Sequence, residues 1–346
     1  MKIGNFKISQ NNKLFKIAEI SANHGGSLQR AKDTILAAKK SGADAVKFQT
    51  YTPDTLTIDC SNDEFILKGG TWDGYKLYDL YKEAHTPYEW HKDLFNFASE
   101  IGILSFSTPF DLTAVNLLES LNTPAYKVAS FELIDIPLLK EIAKTKKPVF
   151  MSTGASNLLE ISEALETLRS GGTKDIVLFH CISSYPATLE DSNLLSIPFL
   201  REHFKVEVGL SDHTIGNNAG VIAACLGAVA IEKHFITDRK KISPDSSFSC
   251  EPSEFKSLSN DLDIAKQALG KFDLVRSKSE LQSMDIRKSI YFVKNLKTGH
   301  QITEDDIKII RPGFGLHPRY KEKIIGKKIN KEVKFGDPVK KECIDW

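Results

Sequence analysis

Three features that mark other classes of protein are missing from this sequence. No apolar run approaches the roughly 20 residues that a membrane-spanning helix needs. Residues 1–16 alternate polar and apolar side chains and lack the apolar core of a signal peptide. The formal net charge is only +1, so neither a nucleic acid nor a membrane surface is indicated as a partner. These absences predict a soluble globular protein.

Cysteines in a pattern that would form disulfides are also missing. The five cysteines are odd in number, scattered and without a CxxC pair: Cys60, Cys181, Cys225, Cys250 and Cys343. A disulfide framework needs paired cysteines and an oxidising compartment, so this usage favours the reducing cytoplasm. We therefore expect a cytoplasmic protein.

The sequence instead contains a regular alternation of β-rich runs and amphipathic segments. Its 346 residues are enough for one large domain and a small one. The predicted strands are Phe15–Ile20, Ala45–Gln49, Ile103–Ser107, Ala125–Ala129, Pro148–Ser152, Asp175–His180, Val206–Leu210 and Ala230–Phe235. The predicted helices are Leu28–Lys40, Pro87–Glu100, Leu112–Ser120, Ile136–Lys144, Leu158–Ser170, Asn193–His203, Asn217–Leu226 and Glu254–Leu269. Eight such units over about 250 residues predict an α/β protein, a (β/α)8 TIM barrel.

Two stretches depart from this alternation. Tyr51–Thr86 is a long insertion after the second strand, and its place at a strand end predicts that it covers a site. After a polar stretch, the tail shows short β-like pieces at Ser289–Val293, Ile307–Arg311 and Val333–Phe335. We predict a barrel domain over residues 1–272, a linker over 273–287 and a small second domain over 288–346.

Charged and hydroxyl side chains gather at the predicted strand ends, where TIM barrels carry their chemistry. Lys47 and Lys127 lie in apolar strands, so each must point outward or have an anionic partner. Two ammonium groups and nearby hydroxyls suit a small polyanion with phosphate and carboxylate groups. The alternative is that one lysine pairs with a neighbouring glutamate and the hydroxyls cap helices. The other polar residues at these ends are Glu19, Gln49, Thr108, Ser130, Ser152, Ser183, Tyr185, Ser211 and Glu232.

Two histidines close the last two strands of the predicted barrel. His213 follows the seventh strand and His234 lies in the eighth, and these strands are neighbours in a barrel. Two imidazoles there would bind a first-row divalent metal and leave positions open for substrate and water. Two histidines alone are a weak metal signal, and two unrelated polar histidines remain the alternative.

Seven motifs in the barrel region resemble the sialic acid synthase family, whose members condense phosphoenolpyruvate with an N-acylated amino sugar. They are Ala18–His24, Ala45–Thr50, Ser107–Phe110, Ala125–Ser130, Met151–Gly154, Gly209–His213 and Ile231–Phe235. The tail resembles the antifreeze-like (SAF) domain of the same family through Arg311–Gly313 and Phe335–Asp337. The resemblance implies a TIM barrel followed by a SAF domain.

The resemblance also implies roles for individual residues. The phosphoenolpyruvate-binding set is matched by Lys47, Thr108, Lys127, Ser130, Ser152 and Ser211. His213 and His234 match the ligands of a divalent metal, which would be Mn²⁺, Mg²⁺ or Co²⁺. Residues around the sugar and the reacting atoms are matched by Glu19, Gln49, Tyr185 and Asp245. Arg311 matches an arginine that one subunit's SAF domain inserts into its partner's barrel, so a domain-swapped homodimer is implied.

Within the family, the chain most resembles the branch that makes pseudaminic acid. The resemblance includes Lys68–Asp73, Thr86–His91 and Phe314–Pro318. Ser183 stands where the N-acetylneuraminate branch usually has an asparagine that contacts the sugar. The expected sugar is therefore 2,4-diacetamido-2,4,6-trideoxy-L-altrose, with N-acetylneuraminate or legionaminate synthesis as the alternative. Two other hypotheses are an aldolase with a Schiff base at Lys127 and a non-catalytic sugar- or ice-binding protein.

Overall fold

Eight parallel strands close into a barrel in which neighbours along the chain are neighbours in the sheet and the last strand pairs with the first. The strands are β1 (Phe15–Glu19), β2 (Ala45–Thr50), β3 (Leu104–Pro109), β4 (Tyr126–Val128), β5 (Val149–Ser152), β6 (Ile176–Cys181), β7 (Glu207–Asp212) and β8 (Ala230–His234). The computed structural model describes residues 1–270 and 274–346. It confirms the predicted barrel, and strand ends differ from the predictions by two residues at most.

Eight helices connect the strands and cover the outside of the barrel. They are α1 (Leu28–Lys40), α2 (Tyr88–Glu100), α3 (Leu112–Ser120), α4 (Ile136–Lys144), α5 (Leu158–Ser170), α6 (Ser196–Phe204), α7 (Asn218–Cys225) and α8 (Pro252–Leu269). Several begin at side-chain caps: Asp111 accepts from the amides of Thr113 and Ala114, and Asn157 caps α5. The sixth helix begins three residues later than predicted, because Asn193 adopts a left-handed conformation after a 3₁₀ turn.

The lower part of the barrel interior is filled by aromatic rings. Phe15, Phe106, Phe150 and Phe179 form a chain of contacts with centroid separations of 5.2–6.1 Å. Each is at most 2% exposed, and burying one stabilises the fold by roughly 1.5–3 kcal/mol. Apolar residues of the N-terminal hairpin join the same cluster. This apolar filling leaves the carboxyl ends of the strands, here called the mouth, as the place for polar side chains.

The insertion after β2 is partly helical. It contains short helices at Pro53–Leu56 and Leu77–Ala84, and Ile66 forms an isolated antiparallel bridge with Lys76. Between the two helices, Gly69, Gly70 and Gly74 all have positive φ angles that a side chain would make strained. The stretch between the bridged residues is therefore a tight, irregular loop.

Residues 271–346 form a second compact unit with its own core. Its strands β9 (Ser289–Phe292) and β10 (Ile307–Ile310) pair antiparallel, and its apolar core includes Phe292, Ile302 and Ile324. The predicted strand at Val333–Phe335 is wrong: Val333 makes one isolated bridge, and the chain then turns at Gly336, whose φ is 89°. The predicted boundary at residues 272–273 lies outside the described residues, and the predicted linker contains a short helix, Lys278–Leu281.

Within the described residues, no helix is both long enough and apolar enough to cross a membrane.

Candidate active site

Two lysines and two glutamates face one another inside the mouth. Lys47 Nζ pairs with Glu19 and donates to Thr108 Oγ1 at 3.0 Å. Lys127 Nζ donates to Ser152 Oγ at 2.6 Å, and both ammonium groups lie within 3.8 Å of Glu232 Oε1. All four charged groups are buried, and both lysines reach Glu232 of β8 from strands that are not its neighbours, so both point into the barrel. The glutamate pairing that the sequence left as an alternative is present, and it compensates two buried cations.

The surroundings push the pKa values of the two glutamates apart. Burial raises the pKa of Glu19, and the neighbouring Glu232 adds to this against the opposing effect of Lys47. Burial also opposes ionisation of Glu232, but Lys127 and Lys47 outweigh it and lower the pKa of that carboxyl. Two carboxyls with separated pKa values are the arrangement that proton transfer in an active site requires.

Hydroxyl groups extend this network around the mouth. Ser211 Oγ donates to Glu232 Oε1 at 2.9 Å, and Ser130 Oγ accepts from the Gly154 amide at 3.2 Å. A Cβ at Gly154 would lie 2.3 Å from Ser183 Oγ, so only glycine allows these hydroxyls to approach. The predicted hydroxyl residues therefore meet at one mouth rather than capping separate helices.

Cys181 is a member of this cluster that the sequence analysis did not single out. Its Sγ lies 3.6 Å from Ser130 Oγ and 3.8 Å from His213 Nδ1. Burial opposes ionisation, but the nearby His213 lowers the pKa of the Cys181 thiol to about 7. Its position at the end of β6, two residues before Ser183, was the signal that could have identified it.

The two histidines lie side by side, with ring centroids 5.4 Å apart. His213 Nδ1 donates to the carbonyl of Ile182 at 2.9 Å, which fixes the tautomer and leaves Nε2 free to accept. His234 Nδ1 is buried, has no hydrogen-bond partner among the described residues and lies 3.5 Å from Asp245 Oδ2. Two imidazoles sharing an ion at about 2.1 Å per nitrogen fit this separation.

These observations fit a divalent cation held by His213 and His234. The hydrogen bond from His213 to a carbonyl is of the kind that orients imidazoles in metal sites. The described residues contain no group of three or more His, Cys, Asp or Glu placed to hold a metal. Two protein ligands would leave positions for substrate and water.

Four predicted residues remain, and they lie in different surroundings. Tyr185 lies against His213, with ring centroids 4.3 Å apart. Asp245 is buried beside His234 and accepts from the Ala22 amide at 3.5 Å, while Gln49 is half-buried in β2 opposite Thr108. Arg311 lies in the second unit and is exposed. The structure thus gathers the predicted residues of the barrel unit around one mouth.

A buried ion pair connects the two strands that carry the histidines. Lys233 Nζ lies 2.7 Å from Asp212 Oδ2, and both residues are at most 3% exposed. Side chains alternate along a strand, so this pair lies on the outer face of the sheet while His213 and His234 face the mouth. The pair ties β7 to β8 beside both imidazoles. The sequence analysis missed Lys233, although its place between Glu232 and His234 was visible.

Together, the closed barrel and its charged, histidine-bearing mouth define a barrel enzyme. The chain belongs to the NeuB family, whose model matches residues 34–273, and the SAF domain model matches residues 287–345. These matches confirm the resemblance drawn from the motifs.

Individual relatives match over nearly the whole chain. A pseudaminic acid synthase of Campylobacter jejuni subsp. jejuni serotype O:2 is 46% identical over 98% of this chain and 98% of its own. A pseudaminic acid synthase of Helicobacter pylori is 42% identical over 95% of this chain and 97% of its own. The crystal structure of N-acetylneuraminic acid (sialic acid) synthetase from Leptospira borgpetersenii serovar Hardjo-bovis in complex with citrate is also similar. Its TM-score is 0.74 at 31% identity, with 82% of this chain and 94% of that chain covered.

Replacing Lys233 by methionine tests the buried ion pair. Lys233→Met leaves the Asp212 carboxylate buried without its cation, so the free energy of unfolding should fall by about 3–5 kcal/mol. The double variant Asp212→Asn/Lys233→Met should recover most of that loss. Urea denaturation of the three proteins measures both effects.

Lys144→Met is the matched control, because its partner Glu141 lies 2.5 Å away in an exposed pair. It should cost about 1 kcal/mol or less. Equal losses for Lys233→Met and Lys144→Met would show that the buried pair has no special role.

Proposed function

We propose that the chain has pseudaminic acid synthase activity. It would condense phosphoenolpyruvate with 2,4-diacetamido-2,4,6-trideoxy-L-altrose and water to give pseudaminic acid and phosphate. The similarity to two pseudaminic acid synthases over nearly the full length of each chain supports the product. The observation that carries the chemistry is the buried pair Lys47 and Lys127, which meets two glutamates and two hydroxyls inside one mouth.

Lys47 and Lys127 would hold the phosphate and carboxylate of phosphoenolpyruvate. Thr108 and Ser152 already contact the two ammonium groups, at 3.0 and 2.6 Å, and orient them. Fixed cations in a water-poor site stabilise the charge that moves during the reaction without reorganising. C3 of phosphoenolpyruvate attacks the sugar aldehyde, water adds at C2, and phosphate leaves with cleavage of the C2–O bond.

His213 and His234 would hold the divalent metal, which we infer to be Mn²⁺, Mg²⁺ or Co²⁺. When bound, such an ion acts as a Lewis acid on the aldehyde oxygen. Tyr185 and Asp245, next to these imidazoles, would position the sugar, and Ser183 and Gln49 lie at the edge of the same cavity. The sugar would therefore bind on the histidine side of the mouth and phosphoenolpyruvate on the lysine side.

Glu19 is the better candidate to move the proton of the attacking water. Both glutamates have a buried oxygen without a hydrogen-bond partner among the described residues, but only for Glu19 does burial prevail and raise the pKa of the carboxyl. Glu232, in contrast, is held ionised between Lys127, Lys47 and Ser211. A carboxyl with a raised pKa exchanges protons closer to neutral pH.

A domain-swapped homodimer would bring Arg311 to the partner's mouth. Arg311 and Phe314 are both exposed on the second unit, as a contact surface requires. Residues 271–346 carry 18 Lys and Arg against 11 Asp and Glu, whereas the rest of the chain carries 28 against 34. Opposite net charges on the two units favour their association between copies.

All five cysteines are free thiols, which supports a reducing cytoplasm.

Phosphate release from phosphoenolpyruvate tests the proposed activity. With Mn²⁺ present, kcat/KM should be highest for 2,4-diacetamido-2,4,6-trideoxy-L-altrose, and lower for its mannose-configured isomer and for N-acetylmannosamine. Chelation with EDTA should abolish release, and added Mn²⁺ should restore it. Colorimetric phosphate detection with product mass spectrometry gives both values.

A clear preference for either other sugar would reassign the substrate. Absence of phosphate release with all three sugars would contradict the proposal. Inactivation by borohydride in the presence of pyruvate would indicate instead a Schiff base at Lys127, whose pKa burial lowers.

Glutamine substitutions separate the roles of the two glutamates. Glu19→Gln should lower kcat by about 10²–10⁴-fold, because the proton acceptor is lost. Glu232→Gln removes the anion between the lysines and should chiefly change KM for phosphoenolpyruvate. Steady-state kinetics from pH 5 to 9 would distinguish them, and a near-normal kcat for Glu19→Gln would assign proton transfer elsewhere.

Mixed dimers test the shared active site. His213→Ala and Arg311→Ala proteins should each be inactive, because each lacks one part of every site. In a 1:1 mixture that exchanges subunits, one intact site forms in each mixed dimer, and about a quarter of wild-type activity should return. No recovery, with subunit exchange verified by native mass spectrometry, would place Arg311 outside the partner's site.

A further inference from the structure

The loop of the insertion is tied across the mouth to two other loops. Trp72 Nε1 donates to the carbonyl of Pro244 at 2.9 Å, and Thr71 Oγ1 donates to the carbonyl of Tyr185. Pro244 lies in the loop after β8 and Tyr185 in the loop after β6, whereas the insertion leaves the barrel after β2. Both hydrogen-bond acceptors are backbone carbonyls, so the position of the loop across the mouth does not depend on flexible side chains of the two other loops.

Three rings meet where the loop arrives, and we call Trp72, Tyr185 and Phe248 the aromatic wall. Trp72 lies 5.4 Å from Tyr185 and 6.1 Å from Phe248, and the latter two are 5.3 Å apart. The wall continues onto the imidazoles: Tyr185 lies 4.3 Å from His213, and Phe248 lies 5.1 Å from His234. The wall therefore stands directly beside the two histidines at the mouth.

Two of the three rings of the aromatic wall, Trp72 and Phe248, offer no free hydrogen-bonding atom to a ligand. The single polar atom of the Trp72 side chain already donates to Pro244, and Phe248 has none, so the only other polar group of the wall is the Tyr185 hydroxyl. A methyl group packed on Trp72 and Phe248 would be removed from water, whereas a hydroxyl there would lose its water without a replacement. The Trp72 and Phe248 part of the wall thus favours apolar over hydroxylated substituents.

The position of Trp72 indicates which end of the sugar it meets. Tyr185 and Phe248 lie between Trp72 and the two histidines, so Trp72 is one ring further from the imidazoles. With the aldehyde directed to the histidines, Trp72 faces the remote end of the open chain. In a 6-deoxy sugar, that end carries the C6 methyl group.

We propose that Trp72 is a specificity-determining residue, which makes the aromatic wall a subsite for the C6 methyl group of a 6-deoxy amino sugar. The proposal rests on the proposed function and adds the structural element that selects against a 6-hydroxyl. An apolar pocket of this kind discriminates against an added hydroxyl by about 10²-fold.

The test compares two sugars that differ at one atom, 2,4-diacetamido-2,4,6-trideoxy-L-altrose and its 6-hydroxy analogue. In the wild-type protein, kcat/KM for the deoxy sugar should exceed kcat/KM for the 6-hydroxy analogue by about 10²-fold. Trp72→Ala should reduce this ratio at least about tenfold, with KM for phosphoenolpyruvate unchanged, since the lysines are not touched. Trp72→Phe keeps a ring and should retain more of the preference than Trp72→Ala.

Two further variants separate specificity from loop anchoring. Tyr75→Ala removes an exposed aromatic side chain of the same insertion and should leave the ratio unchanged. Thr71→Val removes the hydroxyl that contacts Tyr185 and should affect both sugars equally. Equal losses for both sugars in Trp72→Ala would overturn the subsite while leaving the proposed function intact. A wild-type protein inactive with both sugars would contradict the proposed function and the subsite together.

Discussion

Two buried ammonium groups at the site must be compensated by negative charge, and the rest of the site is arranged around this requirement. Lys47 and Lys127 lie within 3.8 Å of Glu232 in a barrel whose lower interior is filled by phenylalanine rings. An unpaired cation there would be costly, so the glutamates are part of the fold as well as of the site. The proposed function uses the same two cations to bind an anionic substrate.

The mouth is divided between charged and aromatic surroundings. The lysines, with Thr108 and Ser152, lie on the side formed by β2 to β5, whereas the histidines and the aromatic wall lie on the side of β6 to β8. This division suits the proposed reaction between a small polyanion and a larger, partly apolar aldehyde. The ion pair of Asp212 and Lys233 holds the second side from the outer face of the sheet.

Much of this architecture could be predicted from the sequence. The alternation of apolar runs and amphipathic segments predicted all eight barrel strands, because both patterns depend only on residues close together in the sequence. TIM barrels carry their chemistry at the carboxyl ends of their strands, so Lys47, Lys127 and His213 could be predicted to share one mouth without knowledge of their contacts. The prediction of a strand at Val333–Phe335 in the second unit is wrong, because a turn at Gly336 interrupts a β-like run.

Other features depend on contacts between distant parts of the chain. The pairing of Lys233 with Asp212 follows from the register between β7 and β8, which the sequence does not state. The arrival of Trp72 at Pro244 depends on how the long insertion folds across the mouth. The low pKa of Cys181 arises from His213, which is 32 residues away in sequence.

The binding of phosphoenolpyruvate in the absence of sugar is the decisive measurement for the role of the buried lysines. Calorimetry with the wild-type protein should detect one ligand per barrel. Lys47→Met and Lys127→Met should each weaken that binding at least about tenfold, because one charge-assisted contact is lost. Unchanged affinity in both variants, with intact folding, would show that the buried lysines do not bind the substrate.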